Sequence, residues 1–401
     1  MKLNDGQQNA LNEVIKAYSS GASDFYLSGP PGSGKTFLTG TIVGALVELG
    51  ASVAFCASTN SALIRAKSQA ISAHWVHQVK FWGTAHKLLG LYYDPVTDEI
   101  GETGHGQAER FDVVFVDESS ALPADVVAQL RERVRFLIFV GDKYQLLPVN
   151  EDTVTAFTGE GVVLTEIMRQ SDAALISLID DVLKMVKRET EDVPVESLDK
   201  YATSNLTEWQ SQLTGEVNQI AIAFANDEVA RLNRIIRANM GMSDEYCVGD
   251  RLVFTAPFFN HNGYGGRRQQ AFSTNTIVTV RQATRCNVSG FPCWSLRVKS
   301  SEKEDYIIIY DTSGDNMAWI EYLLETEPVK NHPSVAHILY AYALTAHRAM
   351  GCEWDRVYVQ MRDFSRCWRE DDRNRLLYTS ITRARETLSV LVPYYLKRNT
   401  T

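Results

Sequence analysis

At 401 residues the chain is too long for one ordinary domain and fits two or three. With 45% hydrophobic and 22% charged residues it reads as globular with sizeable cores, which excludes a disordered or fibrous chain. The net charge of −9 argues against a protein that coats nucleic acid through a bulk positive field, but permits one that grips a strand in a local groove.

Taken in chain order, the first residues, MKLNDGQQNA, lack a signal-peptide core. No apolar run reaches the roughly 18 residues that cross a bilayer, so a soluble cytoplasmic protein is expected. SDFYLSG, ASVAFCAS, FDVVFVDE and VRFLIFVGD are β-branched or aromatic runs that end in small or acidic residues. Helical patterns such as Lys35–Leu49 and Ser61–Ala73 lie between them. Strands alternating with helices predict an α/β fold with a parallel sheet, whose ligands sit beyond the carboxyl ends of the strands. The segment 91–106, LYYDPVTDEIGETGHG, has turn residues around a few apolar ones and predicts a projecting hairpin. NQIAIAFAN at 218–226, RVYVQ at 356–360 and LSVLVP at 388–393 repeat the strand signal and predict a second α/β domain. Residues 250–335, with HNGYGGRRQQ and the alternating runs IVTVRQ, WSLRVKS and DYIIIYD, predict an antiparallel β insertion within it. The six cysteines are scattered with no close CxxC pair, which predicts free thiols and neither zinc nor a disulfide framework.

Two motifs carry chemistry. Gly29, Pro30, Pro31, Gly32, Ser33, Gly34, Lys35 and Thr36 match G-x-x-x-x-G-K-[ST] between a strand-like and a helix-like run. Glycines let backbone amides curl around phosphates, and the following helix start adds a positive dipole end. Lys35 is expected to neutralise the β- and γ-phosphates, and the Thr36 hydroxyl to hold Mg²⁺. Val113–Val116 are apolar and set Asp117 at the tip of a buried strand, suited to face Mg²⁺. Glu118 beside it is placed to orient and deprotonate an attacking water. Together these residues predict nucleoside triphosphate hydrolysis, with ATP and Mg²⁺ as cofactors.

Further motifs in order make the chain resemble the superfamily 1 helicases, subclass B, and above all the RecD/Dda-like group of phage and bacterial enzymes. The resemblance covers nearly the whole chain. Leu3-Asn-Asp-Gly-Gln7 is similar to the adenine-reading Q motif, which implies Gln7 on the adenine edge. Cys56-Ala-Ser-Thr59-Asn60 resembles motif Ia, with Ser58 where the family often has Pro, and Gly83-Thr84-Ala-His86 resembles motif Ib. Thr59, Asn60, Thr84 and His86 are thereby implied strand contacts. Asp117-Glu-Ser-Ser120 fits motif II. Gly141-Asp142-Lys-Tyr-Gln145-Leu-Leu147-Pro148 is similar to motif III, with Leu147 for the usual Pro; Gln145 is implied as γ-phosphate sensor and Pro148 as part of a strand-contacting loop. Leu164-Thr-Glu-Ile-Met-Arg169 looks like motif IV, which makes Arg169 an arginine finger. Asn226 opens a stretch resembling the NxxVxxLNxxIR helix, through Asn233 and Arg237. Thr345-Ala-His347-Arg348-Ala-Met350-Gly351 is similar to motif V and departs from it at Arg348 and Met350; Thr345 and His347 are implied strand contacts and Gly351 a nucleotide contact. Leu377-Tyr-Thr-Ser-Ile-Thr382-Arg383-Ala-Arg385 matches motif VI, with Arg383 as the second finger.

The resemblance implies two RecA-like P-loop NTPase domains with parallel sheets, a β-hairpin insertion in the first and a small SH3-like insertion in the second. The expected boundaries are 1–165 for the first, with its hairpin at 89–109, then 166–249 with 336–401 for the second and 250–335 for the insertion. It also implies an ATP-dependent helicase moving 5′ to 3′ on single-stranded DNA and opening duplex junctions. Tyr92, Tyr93 and Ile100 are candidates for a strand-splitting wedge. Phe258, Phe259 and His261 beside Arg267 and Arg268 read either as a strand contact or as core and solvated turn. A single-strand-binding protein or replisome component is the implied protein partner, and a phage-encoded enzyme acting in the host cytoplasm the implied setting. Alternatives from the residues alone are a nucleotide-dependent binding switch or translocase without unwinding, a 3′-to-5′ or RNA-directed motor, and the ATPase subunit of a nuclease complex.

Overall fold

The computed structural model describes residues 3–94, 99–102, 104–148, 151, 153–167, 172–191, 193, 195–260, 269–327 and 334–393. The chain divides into two compact units. The first comprises Met1–Trp209, Ile222–Ala225 and Thr345–Thr401, and the second Gln210–Ala221 and Asn226–Leu344.

The first unit begins with α1 (Asp5–Ser20), β1 (Asp24–Ser28), α2 (Lys35–Glu48), β2 (Val53–Ala57), α3 (Asn60–Ser72), β3 (Val79–Thr84) and α4 (Ala85–Leu89). The hairpin strands β4 (Leu91–Asp94) and β5 (Glu99–Glu102) follow, then β6 (Val113–Asp117), α5 (Ala124–Arg133), β7 (Phe136–Gly141) and β8 (Gly161–Val163). Six of these strands form a parallel sheet in the order β3-β2-β6-β7-β1-β8. Strands β2, β6 and β7 are buried along their whole length, which is why their sequences are unbroken apolar runs instead of alternating ones. Two apolar clusters cover the two faces, one around Leu38, Phe55 and Phe115, the other around Val114, Val127 and Phe139. The register pairs Ala57 with both Thr84 and Asp117, and Ser28 with Gly141. The carboxyl ends of five strands therefore lie in one row. The edge strands β3 and β8 carry weaker apolar signals and were not anticipated.

The unit continues through α6 (Ala173–Val186), α7 (Val195–Asp199), β9 (Ala202–Thr203) and α8 (Leu206–Ser211). Strands β10 (Gln219–Ala223) and β18 (Ala343–Thr345) each carry residues of both units. After β18 come α11 (Ala346–Ala349), β19 (Trp354–Val359), α12 (Glu370–Ile381) and β20 (Ala384–Leu391). β19, β20 and β9 pair in parallel as a second sheet, and Ile222 joins it by accepting from the Gln360 amide at 2.8 Å. The α/β class with parallel sheets agrees with two RecA-like folds.

The second unit holds α9 (Asn226–Asn239), β11 (Arg251–Phe254), β12 (Phe258–Asn260), β13 (Gln269–Phe272), β14 (Ile277–Val288), β15 (Phe291–Lys299), β16 (Glu304–Tyr310), α10 (Asn316–Thr326) and β17 (Ile338–Tyr340). Five of its strands form an antiparallel sheet in the order β16-β15-β14-β11-β17. Helix α9 is pinned from within. The Asn233 carbonyl accepts from the Tyr342 and Ala343 amides at 2.9 Å each, and its amide donates to the Val229 and Ala343 carbonyls. Arg237 forks onto both Asp250 oxygens at 2.9 and 3.1 Å and lies 4.2 Å from the Tyr340 ring centroid. Asn233 and Arg237, noticed in the sequence as part of a helix motif, are thus architectural, since a buried charge left without its partner would cost several kcal/mol.

Phe258 packs in the core of this unit against Phe254, while Phe259 is exposed; His261, Arg267 and Arg268 lie outside the described residues. On the hairpin β4 pairs with β5, Tyr93 opposite Ile100. The side chains of Tyr92, Tyr93 and Ile100 are not among those described. Among the described residues no helix is long and apolar enough to cross a membrane.

Candidate nucleotide-binding and catalytic site

The loop between β1 and α2 is shaped by its glycines. Gly32 and Gly34 take φ of 87° and 78°, a region that side chains resist. A Cβ at Gly29 would lie 2.8 Å from Ser33 Oγ and 3.0 Å from Leu164, so only glycine fits between the loop and its neighbour. The loop is anchored to the sheet where the Gly29 amide donates to the Gly141 carbonyl at 3.0 Å. Lys35 is half-buried, and its ammonium donates back to the Gly29 and Pro30 carbonyls at 2.7 and 3.0 Å. Burial pulls its pKa below the usual range, against the opposing pull of Asp142, Glu118 and Asp117. Gln7, buried in the first turn of α1, donates to the Ser33 carbonyl at 3.3 Å and closes a capping box with Asn4.

Asp117 ends β6 and accepts from the Glu118 amide at 3.0 Å. Burial, helped by the Glu118 charge, pushes its carboxyl up to about 6. Glu118 takes a left-handed backbone with φ of 51°, which turns its side chain off the strand axis. Burial would raise its pKa, but the Arg65, Arg383 and Lys35 charges prevail and hold it below the ordinary range. Its Oε1 accepts from Arg65 Nη2 at 2.8 Å. Gln145 is buried, and its Oε1 has no hydrogen-bond partner.

Arg383 follows α12 and is almost fully buried. Its Nε donates to the Thr379 carbonyl at 3.0 Å, Nη1 to the Cys352 carbonyl at 3.3 Å and Nη2 to Thr382 Oγ1 at 3.0 Å. Helix α12 also braces the loop after β7 at three points. Tyr378 donates to Asp142 Oδ2 at 2.7 Å, Thr379 Oγ1 accepts from the Leu146 amide at 3.1 Å, and Arg375 Nη1 donates to the Lys143 and Gln145 carbonyls at 2.9 and 2.6 Å. Tyr378→Phe is expected to lower unfolding stability by roughly 1–3 kcal/mol, because it strips a partner from a buried carboxylate. Urea unfolding checks this, and an unchanged midpoint would rule the brace out.

Pro31, Gly32, Gly34, Lys35, Thr36, Asp117, Glu118, Gln145 and Arg383 line one cavity of about 420 Å³, within the size range of small-molecule sites. Nine of the residues singled out from sequence therefore meet at one place. Gly29, Pro30, Ser33 and Gln7 stand directly behind this wall through the contacts given above. Gly351, at φ of 73°, is not part of the lining but lies against Ala62 and Glu118: a Cβ there would lie 3.2 Å from the Ala62 Cβ and 3.7 Å from the Glu118 Cγ. Arg169 lies outside the described residues.

Thr59, Thr84 and Thr345 share one local geometry. Each is the N-cap of a helix, and its hydroxyl accepts from the amide three residues on, at 3.3, 3.2 and 3.3 Å. Asn60 opens α3, His86 is half-buried on α4, Pro148 is buried and His347 is exposed. Asn226 opens α9 in the second unit.

Sequence reasoning missed Arg65 and Glu353, which line the same cavity. For Arg65 the signal was faint but present: Arg65 and Gln69 on α3 and its C-cap Ala73 recur every fourth residue, fall on one face and all line the cavity.

A glycine-shaped loop feeding a helix, with an acid pair at the tip of β6 two places away in the same sheet, defines a P-loop nucleotide-binding protein. A profile for the AAA domain family matches residues 2–211, and one for the UvrD-like helicase C-terminal domain matches residues 340–391. The chain is 24% identical to the ATP-dependent DNA helicase dda of Enterobacteria phage T4, over 96% of this chain and 98% of that one. Among solved structures it is similar to Bacteroides Pif1 bound to ssDNA, with 16% identity, a TM-score of 0.57 and coverage of 100% and 96%. The Pif1 helicase from Candida albicans is 15% identical, with a TM-score of 0.53 and coverage of 99% and 96%. The chain belongs to the AAA domain family.

Proposed function

We propose that the chain is an ATP-dependent DNA helicase that moves 5′ to 3′ on single-stranded DNA and opens duplex at a junction. The carrying observation is the single cavity that gathers Lys35, Thr36, Asp117, Glu118, Gln145 and Arg383. In this reading Lys35 and the loop amides hold the triphosphate, while Gln7 faces the adenine. Glu118 takes a proton from a water whose oxygen attacks the γ-phosphorus. The bond to the β–γ bridging oxygen breaks, and ADP leaves. Arg383 stabilises the charge that develops on the transferred group. Gln145, whose buried Oε1 has no partner, lines the same wall and is suited to orient the water or the γ-phosphate.

The residues fit Mg²⁺. Thr36 and Asp117 offer hard oxygens, and among the described residues no group of three or more His, Cys, Asp or Glu forms a cage. Two protein oxygens, with phosphates and waters completing the shell, suit this ion. When bound, it would neutralise phosphate charge.

The motor reading assigns 1–165 to one RecA-like domain, 166–249 with 336–401 to the other and 250–335 to an accessory β domain. Thr59, Asn60, Thr84, His86, Pro148, Asn226, Thr345 and His347 are proposed to contact the strand, and the hairpin at 89–109 to split it. A replisome or single-strand-binding protein is the proposed protein partner. The relatives named above support DNA as substrate, since one is described as a DNA helicase and one as bound to ssDNA. ATP-dependent strand separation on matched duplexes with a 5′ or a 3′ single-stranded tail tests the proposal. Opening of the 5′-tailed duplex alone is expected. Opening of the 3′-tailed duplex alone would overturn the polarity, and opening of neither would leave a translocase or switch.

A further inference from the structure

Glu118 is gripped by a side chain that the proposed chemistry does not use. Arg65 Nη2 reaches Glu118 Oε1 at 2.8 Å, and Arg65 Nη1 lies 3.9 Å from Glu353 Oε1. Arg65, Glu118 and Glu353 all line the nucleotide cavity, and the carboxylate side chain of Glu118 is only 10% exposed. Holding a buried carboxylate on an arginine fixes its rotamer and occupies one of the two oxygens that an attacking water would need.

The arginine is also carried by a particular element. Helix α3 starts at Asn60, is capped by Thr59, and presents Arg65 five residues into its length, about 7.5 Å along the axis. Its first turn is the proposed strand contact of Thr59 and Asn60. The same turn packs against Gly351 through Ala62, where even a methyl group would be crowded. A helix of 13 residues moves as a unit, so a small shift of its first turn also shifts the guanidinium against Glu118.

We propose that Arg65 is a positioning residue that restrains Glu118 at rest and releases it to the attacking water when single-stranded DNA engages the first turn of α3. The inference rests on the reading of Glu118 as the general base. It makes α3 the physical link between strand occupancy and ATP turnover, and so a control on futile hydrolysis in the absence of DNA.

The test is steady-state ATP turnover of the full chain with and without saturating oligo(dT), for the wild type, Arg65→Gln, Arg65→Lys and Glu118→Gln. Arg65→Gln is expected to raise DNA-free turnover on the order of tenfold, the scale of one charge-assisted hydrogen bond. Turnover at saturating oligo(dT) should stay within about twofold of the wild type, so the stimulation ratio falls on the order of tenfold. Arg65→Lys keeps the charge but loses the fork, and is expected to fall between. Affinity for fluorescent oligo(dT) without nucleotide should not change, which separates a lost restraint from a damaged strand site. An equal fall of turnover with and without DNA in both Arg65 variants would overturn the proposal, as would an unchanged stimulation ratio. A Glu118→Gln chain that still hydrolyses ATP would overturn the general-base reading and this inference with it. A dead Glu118→Gln chain beside an unchanged ratio in Arg65→Gln would overturn the inference alone.

Discussion

Lys35→Ala is expected to abolish ATP turnover, with a fall of at least roughly a thousandfold. Lys35 sits half-buried at the start of α2, with its ammonium on the carbonyls of its own loop and Asp142, Glu118 and Asp117 close enough to oppose its loss of charge. In the proposed chemistry it is the cation that lets a triphosphate approach these three carboxylates. Two unit charges about 4 Å apart interact by about 4 kcal/mol at an effective dielectric constant near 20, which is the source of the thousandfold figure. Alanine leaves the glycine-shaped backbone intact, so the loss should fall on nucleotide affinity and turnover and not on folding. Steady-state hydrolysis with oligo(dT), paired with a fluorescent ATP titration, measures both. Near-normal turnover would remove the phosphate-site assignment.

Arg383→Ala is expected to lower turnover at least about a hundredfold while ATP still binds, because an arginine finger acts mainly on charge that develops in the transition state. The structure sharpens this expectation. The guanidinium is buried, lines the cavity, and is held by the Thr379 and Cys352 carbonyls and the Thr382 hydroxyl, all neutral groups. Burial lowers its pKa, while Glu118 and Glu353 oppose the shift. A charge held by neutral partners at a cavity wall is preorganised to meet an anion without first breaking an ion pair. Arg383→Lys keeps the charge but cannot reproduce the fork, so it should restore only part of the rate. Single-turnover kinetics against the binding isotherm decides the matter: a small effect on kcat would refute the finger role.

The sequence was most legible where backbone geometry restricts the choice of residue. Gly32 and Gly34 hold positive φ, and Gly29 is squeezed between Ser33 and Leu164, so the loop advertised itself. Asp117 and Glu118 were readable because a fully buried strand spells an apolar run up to its tip. The fold class followed from the same runs. Arg65 was not legible in that way, since an arginine inside an amphipathic helix is ordinarily solvated and only the packing of α3 against β2 and β3 turns it inward. The braces from Arg375 and Tyr378 to the loop at 142–146 join residues more than 200 positions apart, and no local pattern encodes such a pairing. Asn233 and Arg237 were noticed for their spacing, but their part in fixing α9 appears only once Asp250 and Tyr342 are seen around them. The caps at Thr59, Thr84 and Thr345 show a hydroxyl with a local structural task, and a strand contact must share it.

The bond from the Leu146 amide to Thr379 supplies the molecule with a built-in isotopic clock. That amide is buried and bonded to a side chain of α12, not to its own sheet, so solvent deuterium reaches it only when the loop and α12 part. Its exchange rate therefore counts openings of the ATP cavity wall. Peptide-level exchange across 142–148, followed with and without nucleotide, would report how often the cavity wall comes apart in a chain that needs no mutation or attached dye.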